Sequence, residues 1–174
     1  AISLTALILS VGVVACGDSQ PEVEVEQPGS GLLAEDAQNV RLLGYHDLQG
    51  RDALVVTALS DEANGDWVYV GHLESTWDGR PILNPITGAM EWSGTSILDV
   101  ADPANPTLVW HIPNDANKNS RGVSVVYDYP FDESGKDYLI RNSESLGDGD
   151  LDLKYQIFDI TSRDTDPSQM SLVS

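Results

Sequence analysis

SILDVADPANPTLVW, residues 96–110, decides how the chain is read. The aliphatic run Ile97-Leu98 closes on Asp99 and Val100, and a link paced by Pro103 and Pro106 leads into a second apolar run, Leu108-Val109-Trp110. Large aliphatic side chains at consecutive positions load both faces of a strand, as in a strand covered on both sides. Asp99 is placed to bond backbone amides of the turn that follows it. The prolines stiffen the crossing to an outer strand, and Asn105 is held extended by the proline after it. The stretch reads as a strand–turn–strand building unit, not as a reactive site.

Working outward, the unit recurs. YQIFDITSRDTDPSQMSLVS (155–174) repeats it, with Asp159 opposite Asp99 and Pro167 opposite Pro106. Before each copy lie further short runs rich in β-branched and aromatic residues, bounded by turn residues. The first set is DALVVTAL (52–59), DWVYVGHL (66–73), SILDV (96–100) and PTLVWHI (106–112). The second is VSVVYDY (123–129), DYLIRN (137–142), LKYQIFDI (153–160) and QMSLV (169–173). WVYVGH is set against DYLIRN. No segment after the first residues keeps a helical period. A four-strand unit that cannot cover its own apolar faces must stack, and radial stacking makes a β-propeller. The expectation is an all-β chain with β-propeller blades over 39–174, blade one about 40–113 and blade two about 120–174. The long loop ESTWDGRPILNPITGAMEW (74–92) lengthens the first unit.

SILDVADPANPTLVW resembles the LVIVD repeat, in which an aliphatic strand closes on Asp and a D-P-x-N-P link leads to another apolar strand. The second copy departs from that pattern, with SRDTDPS in place of ADPANP, one residue longer. GYHDLQGRDALVV with WVYVGH is similar to the opening blade of bacterial secreted or lipid-anchored members of the family. The resemblance covers most of 40–174 and implies a propeller while saying little about activity. Two blades cannot close a ring, so the sequence is expected to be the N-terminal piece of a longer protein, with blade faces left exposed.

Residues 1–15, AISLTALILSVGVVA, are uncharged and apolar, then Cys16 is followed by GDSQPEVEVEQPGSG. The run is short for a membrane span, which takes roughly 20 residues. Val13-Val14-Ala15-Cys16 resembles the bacterial lipobox, which implies a signal peptide over 1–16 and lipidation of Cys16. The other reading of Cys16 is a buried cysteine at the end of a hydrophobic strand. No initiator Met or basic leader precedes the run, so the sequence is expected to begin inside its reading frame. Residues 17–38, acidic and broken by Pro21, Pro28 and Gly29-Ser30-Gly31, read as a flexible linker. The resemblance thus implies a lipoprotein of the bacterial cell envelope, held to the membrane by its lipid anchor. Gly17, rather than an aspartate, follows Cys16 and points to the outer membrane.

Nine Lys and Arg stand against 28 Asp and Glu, a formal net charge of −19. Such a surface repels phosphate polyanions, which excludes nucleic acid as a partner. With a single cysteine, no intramolecular disulfide forms.

Two groups of residues are candidates for chemistry. His46 and Asp47 precede the first strand, and His72 and Glu74 stand where the second strand ends. Gathered at a channel mouth, they would coordinate a metal or act as acid and base. The plainer reading makes them loop polar groups, with a histidine packed against Trp67 or Tyr69. His111, on the outer-strand pattern, reads as a packing residue. Asp148, Asp150 and Asp152 alternate in GDGDLD (147–152) like the front of a Ca²⁺ loop, though the Gly and Glu of an EF-hand are missing. DYPFDESGKD (128–137) is an acidic loop with weaker spacing. No nucleophile elbow, P-loop or dinucleotide motif occurs. Trp67 and Trp110 fall in strand patterns, whereas Trp77 and Trp92 flank the long loop, where they would be exposed. The first functional reading is a lipid-anchored envelope module that binds a protein or glycan or acts as a scaffold. The alternative is a metal-assisted envelope enzyme using Ca²⁺ or another divalent ion, and a third is a structural surface-layer protein.

Overall fold

The computed structural model describes residues 8–10, 24–26, 42–73, 80–116, 118–131, 133–145 and 153–174, with backbone alone at 8–10, 24–26 and 61. These residues contain no α-helix, and the architecture is all-β as the strand pattern predicts. The chain divides into two compact units, one of residues 1–46 with 103–105, the other of 47–102 with 106–174.

In the smaller unit, β1 (Ile8–Ser10) and β2 (Glu24–Glu26) pair antiparallel, Leu9 opposite Val25. The Glu-Val alternation inside the stretch expected as a linker therefore includes a strand. Gly44 lies against the backbone of the Pro103–Asn105 link, where an added Cβ would collide with the Pro103 carbonyl oxygen. Only a residue without a side chain allows that approach.

The larger unit holds two antiparallel meanders. In the first, β3 (Ala53–Asp61) and β4 (Gly65–His72) form a hairpin, followed across a long insert by β7 (Gly94–Asp99) and β8 (Thr107–Pro113), in the order β3-β4-β7-β8. The insert carries a small hairpin, β5 (Ile82–Leu83) and β6 (Met90–Glu91). In the second meander, β10 (Val123–Val126), β11 (Tyr138–Ser145), β12 (Leu153–Asp159) and β13 (Ser171–Leu172) repeat the order β10-β11-β12-β13. A two-residue strand, β9 (Lys118–Asn119), joins the far end of β11. The two sets of four strands read from the sequence are thus the two main sheets.

The repeated aspartates are equivalent in space. Asp99 ends β7 opposite Trp67, and its Oδ1 accepts from the Ala101 amide at 2.8 Å. Asp159 ends β12 opposite Tyr138, and its Oδ1 accepts from the Thr161 amide at 3.1 Å. The next amide in each copy reaches back to the second strand, Val100 to the Asp66 carbonyl at 3.0 Å and Ile160 to the Asp137 carbonyl at 2.9 Å. Asp66 therefore matches Asp137, and the hairpin correspondence drawn from WVYVGH and DYLIRN is one residue out. The links differ too. Pro106 runs directly into the seven-residue β8, whereas Pro167 opens a single 3-10 turn capped by Asp166 before the two-residue β13.

The sheets stack face to face. Trp67, Tyr69, Ile97 and Ile112 of the first meet Val123, Leu139, Phe158 and Ile160 of the second in one buried cluster. Polar bonds pin the stack: the Thr57 hydroxyl donates to the Val123 carbonyl at 2.8 Å, and the Tyr69 and Tyr127 hydroxyls share a bond of 3.0 Å. Because side chains alternate along a strand, the register decides which faces meet. Tyr69 shares its face with Thr57 and Ile97, its direct partners. Its counterpart by the aspartate register is Ile140, one residue from Leu139 and so on the opposite face of β11. One face of the first sheet thus covers the unlike face of the second, head to tail. The matching face of the second sheet, with Val126, Tyr138, Ile140 and Ile157, is only half covered. Together with Tyr129 and Val173 these residues line a hollow of about 220 Å³.

Candidate functional site

The sequence-derived residues fall in different settings. Cys16, Glu74, Trp77 and the aspartates Asp148, Asp150 and Asp152 lie outside the described residues. His46 closes the smaller unit, and Asp47 opens the larger one. Asp47 caps a 3-10 turn over Leu48–Gly50, accepting from the Gln49 amide at 2.9 Å. His72 does end β4, but its ring is wholly buried. Trp92 is half-buried, and Trp67 is in the core.

Around His72 the first sheet builds a polar chain that sequence reasoning does not single out. The alternation of β4 places His72 on the face opposite Tyr69. Ser96 on β7 pairs with Val70, and His111 on β8 pairs directly with Ser96. Three side chains from three neighbouring strands consequently meet on one face. His72 Nδ1 lies 3.2 Å from the Asp52 carbonyl oxygen, and its Nε2 lies 2.8 Å from Ser96 Oγ. Ser96 Oγ is 3.2 Å from His111 Nδ1, and His111 Nε2 is 3.0 Å from the Trp92 carbonyl oxygen. The two rings sit 5.8 Å apart, tilted by 49°. All three side chains are at most 1% exposed.

Burial is the main electrostatic fact here. It pushes His72 down to about 4, with the Arg51 guanidinium acting in the same direction and the bond to the Asp52 carbonyl opposing. His111 is pushed down to about 3, again first by burial and then by Arg51, with His72 and Arg141 adding to it. Both rings are therefore neutral at pH 7. Arg51 is itself buried, donating to Gln49 Oε1 and at 3.4 Å to the Ile82 carbonyl of the insert. The insert is braced in turn by Asn84, whose Nδ2 donates to Glu91 at 2.8 Å and whose Oδ1 accepts from the Ile86 amide at 2.9 Å.

Chemically, the His72–Ser96–His111 chain holds and orders protons inside the sheet. The Ser96 hydroxyl beside His72 looks like an activated nucleophile, yet it has no access to solvent. Among the described residues no group of three or more His, Cys, Asp or Glu side chains could hold a metal ion. Of the residues of the expected metal site, Glu74 lies outside the described residues, and His46 belongs to the smaller unit while Asp47 and His72 belong to the larger one. No described helix is long and apolar enough to cross a membrane.

No family model matches the chain, and neither does any curated protein or solved structure.

Proposed function

We propose that the chain is part of a β-propeller of the LVIVD kind, anchored to the bacterial envelope through Cys16, that serves as a binding or scaffold module. The observation that carries the reading is the head-to-tail stacking of two equivalent meanders. Tyr69's face is covered by the next unit, and the same face of that unit is only half covered. A heterologous contact of this kind continues from unit to unit until the rotation closes a ring. The occupant of that face is accordingly a further four-stranded unit of the same kind. Partners in this reading are a protein or glycan met by the loops, and the membrane through the lipid. The charge of −19 weighs against nucleic acid as a partner. The metal-assisted alternative gains nothing from His72, whose two ring nitrogens face Asp52 and Ser96 inside the sheet.

Fractionation of bacteria carrying the chain tests the anchor. The wild type should pellet with membranes and take up a fatty-acid probe, and Cys16→Ala should release it and abolish labelling. Labelling that survives the substitution excludes the lipoprotein reading.

A further inference from the structure

The chain from the Asp52 carbonyl to the Trp92 carbonyl has four links: carbonyl to His72, His72 to Ser96, Ser96 to His111, and His111 to carbonyl. Each link needs one proton. The carbonyls supply none, a neutral imidazole supplies one, and the serine hydroxyl supplies one. Two neutral rings and Ser96 together hold three protons for four links. In every neutral arrangement one link is therefore two lone pairs facing each other in a buried place, where an unmade bond costs most. The distances narrow the gap to two links. The two longer links, at 3.2 Å, are Asp52 to His72 and Ser96 to His111. Leaving the gap at Ser96 and His111 keeps both rings donating to carbonyls, so His72 carries its proton on Nδ1 and His111 on Nε2.

We propose that His72, Ser96 and His111 form a one-proton acceptor built into the first sheet, which takes up a fourth proton on acidification and thereby completes all four links. The proton rests on either ring, with the Ser96 hydroxyl turning to match. On His72, Nε2 donates to Ser96 and Ser96 donates to His111 Nδ1. On His111, Nδ1 donates to Ser96 and Ser96 donates to His72 Nε2. The surrounding charges choose between them. Arg51, which faces Glu91, acts on both rings, and Arg141, which faces Asp115, acts on His111 as well. With one guanidinium against it rather than two, His72 is the ring that holds the charge. A second proton finds no link left to complete and would set two imidazolium rings 5.8 Å apart. The chain takes one proton, not two.

Opposing this gain is burial, which keeps uptake below the ordinary histidine range near 6.5. The sign follows: with folded-state values below the unfolded one, this site's contribution to stability is full above about pH 6.5. It is lost as pH falls toward about 4, the value for His72.

The test is ring-nitrogen NMR on the full chain labelled with ¹⁵N-histidine, titrated from pH 7 to pH 3.5, with backbone amide signals reporting the fold. At pH 7 the expected spectrum shows His72 as the Nδ1–H tautomer and His111 as Nε2–H. On acidification His72 should become doubly protonated. Over the same pH range His111 should remain neutral and Nε2-protonated, its Nδ1 shift moving as it gains the Ser96 hydrogen bond. Two independent full protonations in the folded chain would overturn the proposal, as would unfolding before either ring takes a proton. Ser96→Ala removes the middle links, so uptake should weaken about tenfold, one pH unit lower. If that variant fails to fold, the wild-type titration decides alone.

Discussion

Arg141 is a buried cation whose guanidinium is held by neutral groups. From β11 it reaches across the stack, donating through Nη1 to the Ile112 carbonyl at 2.6 Å and through Nη2 to the Pro113 carbonyl at 2.9 Å. Nε donates to Gln156 Oε1 at 2.9 Å, and the guanidinium lies 4.7 Å from the centre of the Phe158 ring. Burial lowers it to about 10, with Asp115 opposing. It stays charged at neutral pH and bolts one sheet to the end of the other. Arg141→Met keeps the apolar stem but leaves two carbonyls without their donor, which should cost about 2–4 kcal/mol of unfolding free energy. Urea denaturation measures it, and a loss under 0.5 kcal/mol would remove the bolt from this account. Arg163 plays a related part at the other end of the interface. It pairs with Asp137 and lies over Trp67 and Tyr127, 5.2 and 4.6 Å from the ring centres.

At the scale of elements, the two aspartate turns offer a comparison internal to one molecule. Asp99 bonds one backbone amide, whereas Asp159 bonds the Thr161 amide and hydroxyl and pairs with Lys136 at 2.8 Å. Asp99→Ala should cost about 1 kcal/mol, and Asp159→Ala more, because it also removes the bond from the Thr161 hydroxyl and the pair with Lys136. Denaturation midpoints of the two variants check the order, and a larger loss at Asp99 would contradict the geometry. Burial works against ionisation of Asp159, but Lys136 and Thr161 win and hold it below the usual aspartate range. Its contribution is therefore present above the unfolded value and fades as pH falls through the folded one.

These turns also show why part of the fold was legible. A period of two, β-branched runs and an aspartate at each strand end are local signals, and they gave the strands and the repeat. Register is not local. The hairpin match slipped by one residue because nothing in WVYVGH and DYLIRN says which residue opposes Asp99 or Asp159. A bulge between Ile97 and Leu98 then shifts β8 by one more residue. Ser96 and His111 become neighbours only once that register is known, so the His72 chain could not be read from spacing. His72 itself was visible, but its direction depended on which face the sheet turned inward.

At the scale of the whole molecule, a charge of −19 and a half-covered apolar sheet face pull in opposite directions. Tyr69 is wholly buried in the stack, whereas its counterpart Ile140 is only half covered, and Tyr155 on the same face is 72% exposed. Contact between two such faces buries apolar area but brings like charges together, a repulsion that salt screens within about 10 Å at 0.1 M. The chain, carrying Cys16→Ala so that the proposed lipid cannot attach, should therefore be more monomeric at low salt and associate as salt rises. Sedimentation velocity across a salt series reads this directly. Ile140→Glu places a charge in the hollow beside Val126 and Ile157 and should suppress the association. It should cost only about 1 kcal/mol of unfolding free energy, because Ile140 is half covered in the single chain. A loss of 2 kcal/mol or more would mean that this chain already covers the face itself. Association that Ile140→Glu leaves unchanged would place the contact elsewhere and take away this face as the point where a further unit stacks.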